Sequence, residues 1–400
     1  MTPRRHAIFL RPSLGIGGAE RLMVDAAMAL QARGWSVEFV VNFFDPDRTQ
    51  TEARTGQVNV TVFTGLPEWC ARGRFRALTA VAGQRMLLER LRRRGPAPDL
   101  IVCDLVPHAA GWIRRWLPRS AILVYCHFPD RLAVAARGPY GLYRALIGRW
   151  EDRGMRVADR VVVNSDVTAA AARRAFPFLD PARIAVVHPG VRPAPAAARH
   201  DGSAPLRSFL SVARIDSSKN LPLAIEAFAA FHRRVGTAEY SRWRLVLAGG
   251  YDRRLPEARA LMARLRTQAA DLGVLPQVEW RFDLTPADLE ALWREAFALI
   301  HFAPAEHFGI VLIEAMARGL PVLAVAAGGP AEIVVDGVTG ALRPPEAMEF
   351  SAVMAEWAGA PQHAAVLGAA GHARATAEFS IDRFSAGFAA QAEAALGPRP

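Results

Sequence analysis

The residues best able to do chemistry fall in a few short stretches. The densest is Ala305-Glu306-His307-Phe308-Gly309-Ile310-Val311-Leu312-Ile313-Glu314. Its two carboxylates, Glu306 and Glu314, are eight positions apart. That is too far for a general acid–base pair on one turn, but it suits gripping opposite ends of an extended ligand, such as two sets of sugar hydroxyls. Between them, the amides from His307 to Ile310 fall where a helix should begin, and bare N–H groups at a helix start attract phosphate.

A second stretch, Ser211-Val212-Ala213-Arg214-Ile215-Asp216-Ser217-Ser218-Lys219-Asn220, spans a strand end, a loop and a helix start. Arg214 and Lys219 lie five residues apart across that turn, where both cations can converge on a diphosphate with the helix dipole behind them. A solvated charge pair is the plain alternative. Lys219 is the single lysine among 49 basic residues, which reads equally as a place where a compact ammonium is wanted or as a random survivor of an arginine-biased composition.

Three further turns stand out. Gly15-Ile16-Gly17-Gly18-Ala19-Glu20-Arg21 joins a strand to a helix, so Gly17 and Gly18 can let backbone approach an anion. It is neither a GxGxxG fingerprint nor a P-loop, so it implies no dinucleotide cofactor and no NTPase. Gly328-Gly329-Pro330-Ala331-Glu332 reads equally as a helix-starting turn or a ligand contact. Tyr125-Cys126-His127-Phe128-Pro129-Asp130 ends an apolar run with an imidazole, His127, and a carboxylate, Asp130.

These turns need a frame, and the periodicity supplies one. Short β-rich apolar runs alternate with amphipathic stretches, the pattern of parallel sheets wrapped by helices. Strands are expected near 6–11, 36–42, 58–63, 99–104, 121–126, 160–164 and 184–188, with helices near 18–33, 71–94, 140–157 and 166–175. Arg192 to Pro205 is rich in Ala and Pro and reads as a linker. Strands are then expected near 207–213, 243–249, 278–282, 297–302 and 321–326. Helices are expected near 220–234, 256–271, 286–295, 308–318 and beyond 346. The expected architecture is α/β, with two doubly wound Rossmann-like domains facing across a cleft. They would be residues 1–191 and 206–380, joined by a linker at 192–205. A helix at 381–400 is expected to cross back to the first domain. Ligands belong at the C-terminal ends of the strands.

Composition narrows the class. The 400 residues are 52% hydrophobic and 22% charged, enough for two or three cored domains and unlike a disordered or collagenous chain. Three scattered cysteines, Cys70, Cys103 and Cys126, offer neither a disulfide framework nor a zinc site. No apolar run is long enough to span a bilayer and Met1 to Arg11 lacks a signal-peptide core, so a cytoplasmic location is expected. Charge is uneven: residues 1–200 hold 30 arginines against 16 acidic residues, about +14, while residues 201–400 hold 19 basic and 22 acidic residues, about −3. One half should therefore face an anionic partner. From Trp69 to Arg94, eight arginines (Arg72, Arg74, Arg76, Arg85, Arg90, Arg92, Arg93, Arg94) interleave with Trp69, Phe75, Leu78, Met86, Leu87 and Leu91. This reads as a basic amphipathic stretch able to dock on anionic lipid, or as an ordinary surface helix.

Taken together, Gly17 to Arg21, the Arg214/Lys219 pair, Glu306 to Glu314 and Gly328 to Glu332 resemble the retaining GT-B glycosyltransferases of family 4. YCHFPD (Tyr125 to Asp130), ADRVVVNS (Ala158 to Ser165), SVARIDSSKN (Ser211 to Asn220) and AGGYDRR (Ala248 to Arg254) make the chain similar, within that family, to the dolichol-pathway α-1,3/1,6-mannosyltransferases that add the second and third mannoses. The resemblance spans nearly the whole chain. It implies a GDP-mannose donor, an acceptor-binding first domain and a nucleotide-sugar-binding second domain. It implies that Arg214 and Lys219 neutralise the donor diphosphate, that Glu314 accepts from the ribose and that Glu306 holds hydroxyls of the transferred hexose. Gly17 and Gly18 would pass close to the phosphates, and His127 and Asp130 would line the acceptor side. Front-face displacement with retention is implied, in which the leaving phosphate oxygen takes the acceptor proton. With no DxD pair in a suitable loop, no metal and no other cofactor are expected.

The chain lacks the apolar anchors of those enzymes, so a glycan acceptor, either lipid-diphosphate-linked or a polysaccharide precursor, would be met peripherally at the inner face of the cytoplasmic membrane. A family member using a UDP-sugar is the alternative within this class. A pyridoxal-dependent phosphorylase would need a Schiff-base lysine besides Lys219. A nucleic-acid-binding protein is the rival from charge alone, but the acidic second half and the absence of recognition motifs argue against nucleic acid as a partner.

Overall fold

The computed structural model describes residues 5–15, 17–46, 49–63, 76–105, 107–133, 138–194 and 207–397. In its first unit, strands β1 (His6–Leu14), β2 (Ser36–Phe44), β3 (Asn59–Val62), β4 (Leu100–Asp104), β5 (Ala121–Cys126), β6 (Arg160–Val163) and β7 (Ile184–Val186) form one sheet. The order is β3-β2-β1-β4-β5-β6-β7 and every pairing is parallel. Because helices cover both faces, alternate residues of a strand enter different cores. Ala7 and Phe9 of β1 join one cluster with Phe39 and Leu123, whereas Ile8 and Leu10 join the other with Ile101 and Ile122. The strand order reverses between β1 and β4, so their C-terminal ends open where doubly wound folds bind ligands.

The C-terminal helix Ile381–Ala395 belongs to this first unit, which comprises residues 1–190 and 381–400, while residues 191–380 make the second. Phe384, Phe388, Ala389 and Ala392 of that helix enter the core beside Phe9, with the Phe9 and Phe388 rings 6.1 Å apart. Val191 and Ser380 pair as an isolated parallel bridge where the chain leaves and re-enters the second unit's boundary.

The second unit carries β8 (Arg207–Val212), β9 (Trp243–Gly249), β10 (Val278–Phe282), β11 (Ala296–His301), β12 (Val322–Val325) and β13 (Ala341–Arg343) in the order β10-β9-β8-β11-β12-β13, again wholly parallel. Its core is aromatic: Phe209 stacks on Trp243 at 4.5 Å, and Phe231 and Phe297 meet the indole edge-on. Here the reversal lies between β8 and β11. The expected linker at 192–205 falls mostly on residues 195–206, outside the described residues.

Three local differences from the sequence expectation have physical causes. The helix expected at 308–318 begins only at Ile310, because Gly309 sits at φ 100°, left-handed backbone that holds residues 306–309 as a loop. The helix expected to end near 234 runs on to Tyr240 through a break at Gly236, φ 77°. β13 is three residues long, too short to show an alternation. Among the described residues, no helix is long and apolar enough to cross a membrane.

Candidate active site

In the second unit, β8 delivers Arg214 and Lys219. The strand ends at Val212, and Asp216 then turns the chain by accepting from the Ser218 amide at 2.9 Å and the Ser218 hydroxyl at 2.6 Å. Asn220, left-handed at φ 50°, hands the chain to the helix Leu221–Tyr240. The Arg214 loop crosses directly over the end of β9, where Gly249 is obligatory: a Cβ there would lie 2.1 Å from the Ala213 carbonyl oxygen. Arg214 stays exposed, with its stem over Gly250.

From the neighbouring strand, β11 delivers His301 and the loop bearing Glu306. Lys219 Nζ donates to Glu306 Oε2 at 2.6 Å, and His301 Nε2 lies 3.3 Å from the same oxygen. Burial would raise the Glu306 carboxyl, but His301 and the Lys219 ammonium outweigh it and hold the group at about 2. Glu306 is thus a fixed anion, held against Lys219 and His301 at the ends of adjacent strands.

The Gly328-Gly329 turn settles as the support of that loop. Gly328, at φ 65°, leaves 2.4 Å between its notional Cβ and the Glu306 carbonyl oxygen, and Gly329 donates its amide to that oxygen at 2.8 Å. A Cβ on Gly329 would meet Phe308 Cα at 2.3 Å. Phe308 itself is buried with its ring 6.0 Å from Phe379, so it offers a ligand only backbone. His307 and Ile310 are partly exposed beside it. No side chain caps the helix Ile310–Ala317 at Gly309, so its first turn keeps its anion-attracting end. Glu314, two turns on, is pushed up to about 7 by desolvation, which Arg318 only partly offsets and Glu290 reinforces.

The first unit assembles a separate group at the ends of β1, β4 and β5. Gly17 caps the helix Gly18–Gln31 and accepts from the Arg21 amide at 2.9 Å. His127 Nε2 meets Asp104 Oδ1 at 2.6 Å. Asp104 is wholly buried at the end of β4 and is ion-paired with Arg11, itself wholly buried in β1. Arg11 reaches on to Glu20 Oε1 at 3.1 Å, one turn into the helix after the glycines. Asp130 is engaged elsewhere: its carboxylate pairs with Arg144, and its amide donates to Glu151 at 3.1 Å.

Sequence reasoning missed Arg11, Asp104 and His301. Each is a polar residue in or ending an otherwise apolar strand, AIFLR, LIVCD and AFALIH, and that incongruity was the available signal.

Two Rossmann-ordered sheets with their chemistry at the carboxyl ends of the strands define the chain as a GT-B glycosyltransferase. Family models agree: Glycosyltransferase Family 4 matches residues 16–194 and Glycosyl transferases group 1 matches residues 203–374. Human alpha-1,3/1,6-mannosyltransferase ALG2 is 34% identical over 400 residues, covering 96% of this chain and 94% of the human protein. The Schizosaccharomyces pombe enzyme of that name is 34% identical, covering 95% of this chain and 79% of its own. The chain belongs to this alpha-1,3/1,6-mannosyltransferase family. Among solved structures, Anabaena HepE in complex with UDP and glucose shares the fold at a TM-score of 0.76 and 20% identity, covering 97% of this chain and 99% of HepE. WaaG, a glycosyltransferase involved in lipopolysaccharide biosynthesis, shares it at 0.72 and 17% identity, covering 96% and 98%.

Proposed function

We propose that this chain is a retaining α-mannosyltransferase that moves mannose from GDP-mannose onto a glycan acceptor carried on a lipid diphosphate, without a metal ion. The observation that carries the reading is the Lys219–Glu306–His301 cluster beside Arg214, at the switch point of the second sheet. Arg214, Lys219 and the open end of the helix Ile310–Ala317 stabilise the charge that builds on the departing diphosphate, the task a metal ion otherwise performs. Glu306 holds hexose hydroxyls and keeps the anomeric carbon oriented, and Glu314 accepts from the ribose. The leaving phosphate oxygen takes the acceptor proton, so no side chain acts as a covalent nucleophile. The alpha-1,3/1,6-mannosyltransferase relatives support mannose as the transferred sugar.

For the acceptor we infer peripheral docking of the first unit on an anionic membrane, at the cytoplasmic face. The exposed residues support a different docking face from the one the sequence suggested. Of the stretch from Trp69 to Arg94, residues 69–75 lie outside the described residues, and Leu87 and Leu91 turn inward to the core. Several arginines there are already engaged: Arg85 over Trp112, Arg92 over Trp116, Arg93 with Glu89 and Arg94 with Glu38. Leu142 is instead 78% exposed and Leu146 48%, on one face of the helix Gly138–Val157, with Arg149 and Arg153 exposed along the same face. Leu78 is also exposed, and its amide is bonded to the Tyr143 hydroxyl of that helix at 3.1 Å.

The test is a thermal-shift titration of the full chain with GDP, GDP-mannose, UDP and UDP-glucose, with and without EDTA. Stabilisation by the GDP ligands, unchanged by EDTA and weakened in Lys219→Ala, is the expected result. A response to UDP ligands alone would discard the donor, and loss of turnover in EDTA restored by manganese would discard metal independence.

A further inference from the structure

The first unit holds a fully buried ion pair. Arg11 and Asp104 sit side by side at the sheet's carboxyl edge, one position beyond the paired residues Leu10 and Cys103, and both are wholly buried. Apolar residues at these two positions would avoid the desolvation that a buried pair costs. Each charge instead reaches outward in a different direction. Asp104 meets His127 Nε2 at 2.6 Å across β5, and Arg11 meets Glu20 at 3.1 Å and the Ser13 and Ala19 carbonyl oxygens at 3.0 and 3.4 Å. The residue after Asp104 is Leu105, at φ 64°, whose backbone N–H donates to the Asp104 carboxylate. Asp104 is therefore held by Arg11, His127 and the Leu105 amide.

We propose that Asp104 and Arg11 are positioning residues: Asp104 fixes His127 as the Nε2–H tautomer so that Nδ1 presents a lone pair to a sugar hydroxyl, and Arg11 ties that imidazole to the helix that follows Gly17 and Gly18. The chemistry is that of a carboxylate orienting a neutral imidazole through one ring nitrogen so that the other is an acceptor. Burial pushes the Asp104 carboxyl up, but Arg11 and His127 outweigh it and hold the group below its usual range, so it is a carboxylate acceptor. A displaced Asp104 would release the imidazole and, through Arg11, loosen the turn beside Glu20. This rests on the reading of His127 as a sugar-facing residue of a glycosyltransferase.

The experiment has a spectroscopic and a kinetic arm. Long-range proton–nitrogen correlation on histidine-labelled protein reports the His127 tautomer directly, with the resonance assigned by its loss in His127→Gln. The Nε2–H form is expected in the wild type, with a shift toward Nδ1–H in Asp104→Asn. Arg11→Met/Asp104→Asn removes both charges together and should show the same shift in a fully folded protein, which guards against a single variant that fails to fold. In GDP-mannose turnover, Asp104→Asn should lower kcat by about ten- to a hundredfold with KM within about twofold, and adding Asp104→Asn to His127→Gln should cost nothing further. An unchanged tautomer without Asp104, or losses that multiply in the double variant, would overturn the proposal. If GDP-mannose proves not to be turned over, the donor reading fails, but the tautomer measurement still decides this one.

Discussion

Lys219 Nζ lies 2.6 Å from Glu306 Oε2, joining residues 87 positions apart at the carboxyl ends of adjacent strands. The sole lysine of the chain is therefore already half-neutralised before any ligand arrives. A diphosphate must share that ammonium with a carboxylate, so the two groups should separate on mutation. Glu306→Gln frees Lys219 for phosphate but loses an anion for hexose hydroxyls. GDP should then bind as tightly or severalfold more tightly, while turnover falls by about a hundredfold. Calorimetry with GDP beside steady-state rates reads both. A parallel fall in GDP affinity would place Glu306 on the nucleotide side instead.

Removing the cation has the opposite signature. Lys219→Ala should weaken GDP and GDP-mannose alike by about tenfold or more, the worth of one charge-assisted contact to phosphate. Lys219→Arg should recover little, because a planar fork cannot occupy the place of a compact ammonium 2.6 Å from Glu306. Full recovery with arginine would mean that only net charge matters here.

The same pair makes stability depend on pH with a definite sign. The Glu306 carboxyl is held at about 2 in the folded chain, below its ordinary 4.5, so its contribution is complete above about 4.5 and is lost as pH falls through 2. The difference is on the order of 3 kcal/mol. Denaturant melts of wild type and Glu306→Gln between pH 2 and pH 6 should therefore converge at the acid end, separate as pH rises from 2 to 4.5, and keep a constant gap above that. Curves that stay parallel would show the carboxylate gains nothing from Lys219 and His301.

Glu314 runs the other way. Its carboxyl is raised to about 7, so much of it is protonated near neutrality and it becomes a full anion only at higher pH. If ribose hydroxyls donate to the anion, nucleotide affinity should climb severalfold from pH 6 to pH 8, and Glu314→Gln should flatten that rise. Isothermal titration in two buffers of different ionisation enthalpy would detect the proton released on binding; no release means that Glu314 does not meet the ribose.

What the sequence disclosed follows from how each feature is encoded. Strand and helix placement was legible because a parallel sheet buried on both faces leaves continuous apolar runs such as AILVYC and LIVCD, and Gly17, Gly249 and Gly309 interrupt them where loops must form. The Glu306 loop was legible from its own residues. Its support was not: that Gly328 must lack a side chain because the Glu306 carbonyl passes beside it is a long-range fact that no local spacing carries. Nor could spacing reveal that Leu87 and Leu91 face the core, since a basic helix covering a sheet and a basic helix docking on lipid share one periodicity. Asp104 and Arg11 were invisible as partners because strand order, not chain order, brings them together.

That support makes a sharp prediction at the glycine pair. Alanine at Gly328 or Gly329 would place a Cβ 2.4 Å from the Glu306 carbonyl oxygen or 2.3 Å from Phe308 Cα, and at Gly328 it would also strain a left-handed residue. The loop, being nearer the surface than the sheet, should yield before the core does. Either variant should lose about a hundredfold in kcat while keeping its cooperative melt, with a cost of about 1–3 kcal/mol. Wild-type rates in Gly328→Ala would show that the loop position is immaterial.

The membrane face can be tested apart from chemistry. On the helix Gly138–Val157, Leu142, Leu146, Arg149 and Arg153 recur at spacings of four, three and four, which places them on one face. Two leucines entering the acyl boundary and arginines at the headgroups give affinity from two independent sources. Burying a leucine is worth about 1.5–3 kcal/mol, and each arginine near an anionic surface about 1 kcal/mol. Leu142→Glu should therefore reduce sedimentation with phosphatidylglycerol vesicles by at least about tenfold at every salt concentration. Arg149→Gln/Arg153→Gln should weaken binding by a similar factor at low salt and flatten its salt dependence, because screening acts only on the charged part. Donor binding by GDP calorimetry should not change in either variant, as the helix belongs to the first unit and the Arg214–Lys219 turn to the second. Equal binding of wild type and Leu142→Glu would leave the two leucines without a membrane role and the arginines as a purely electrostatic attraction.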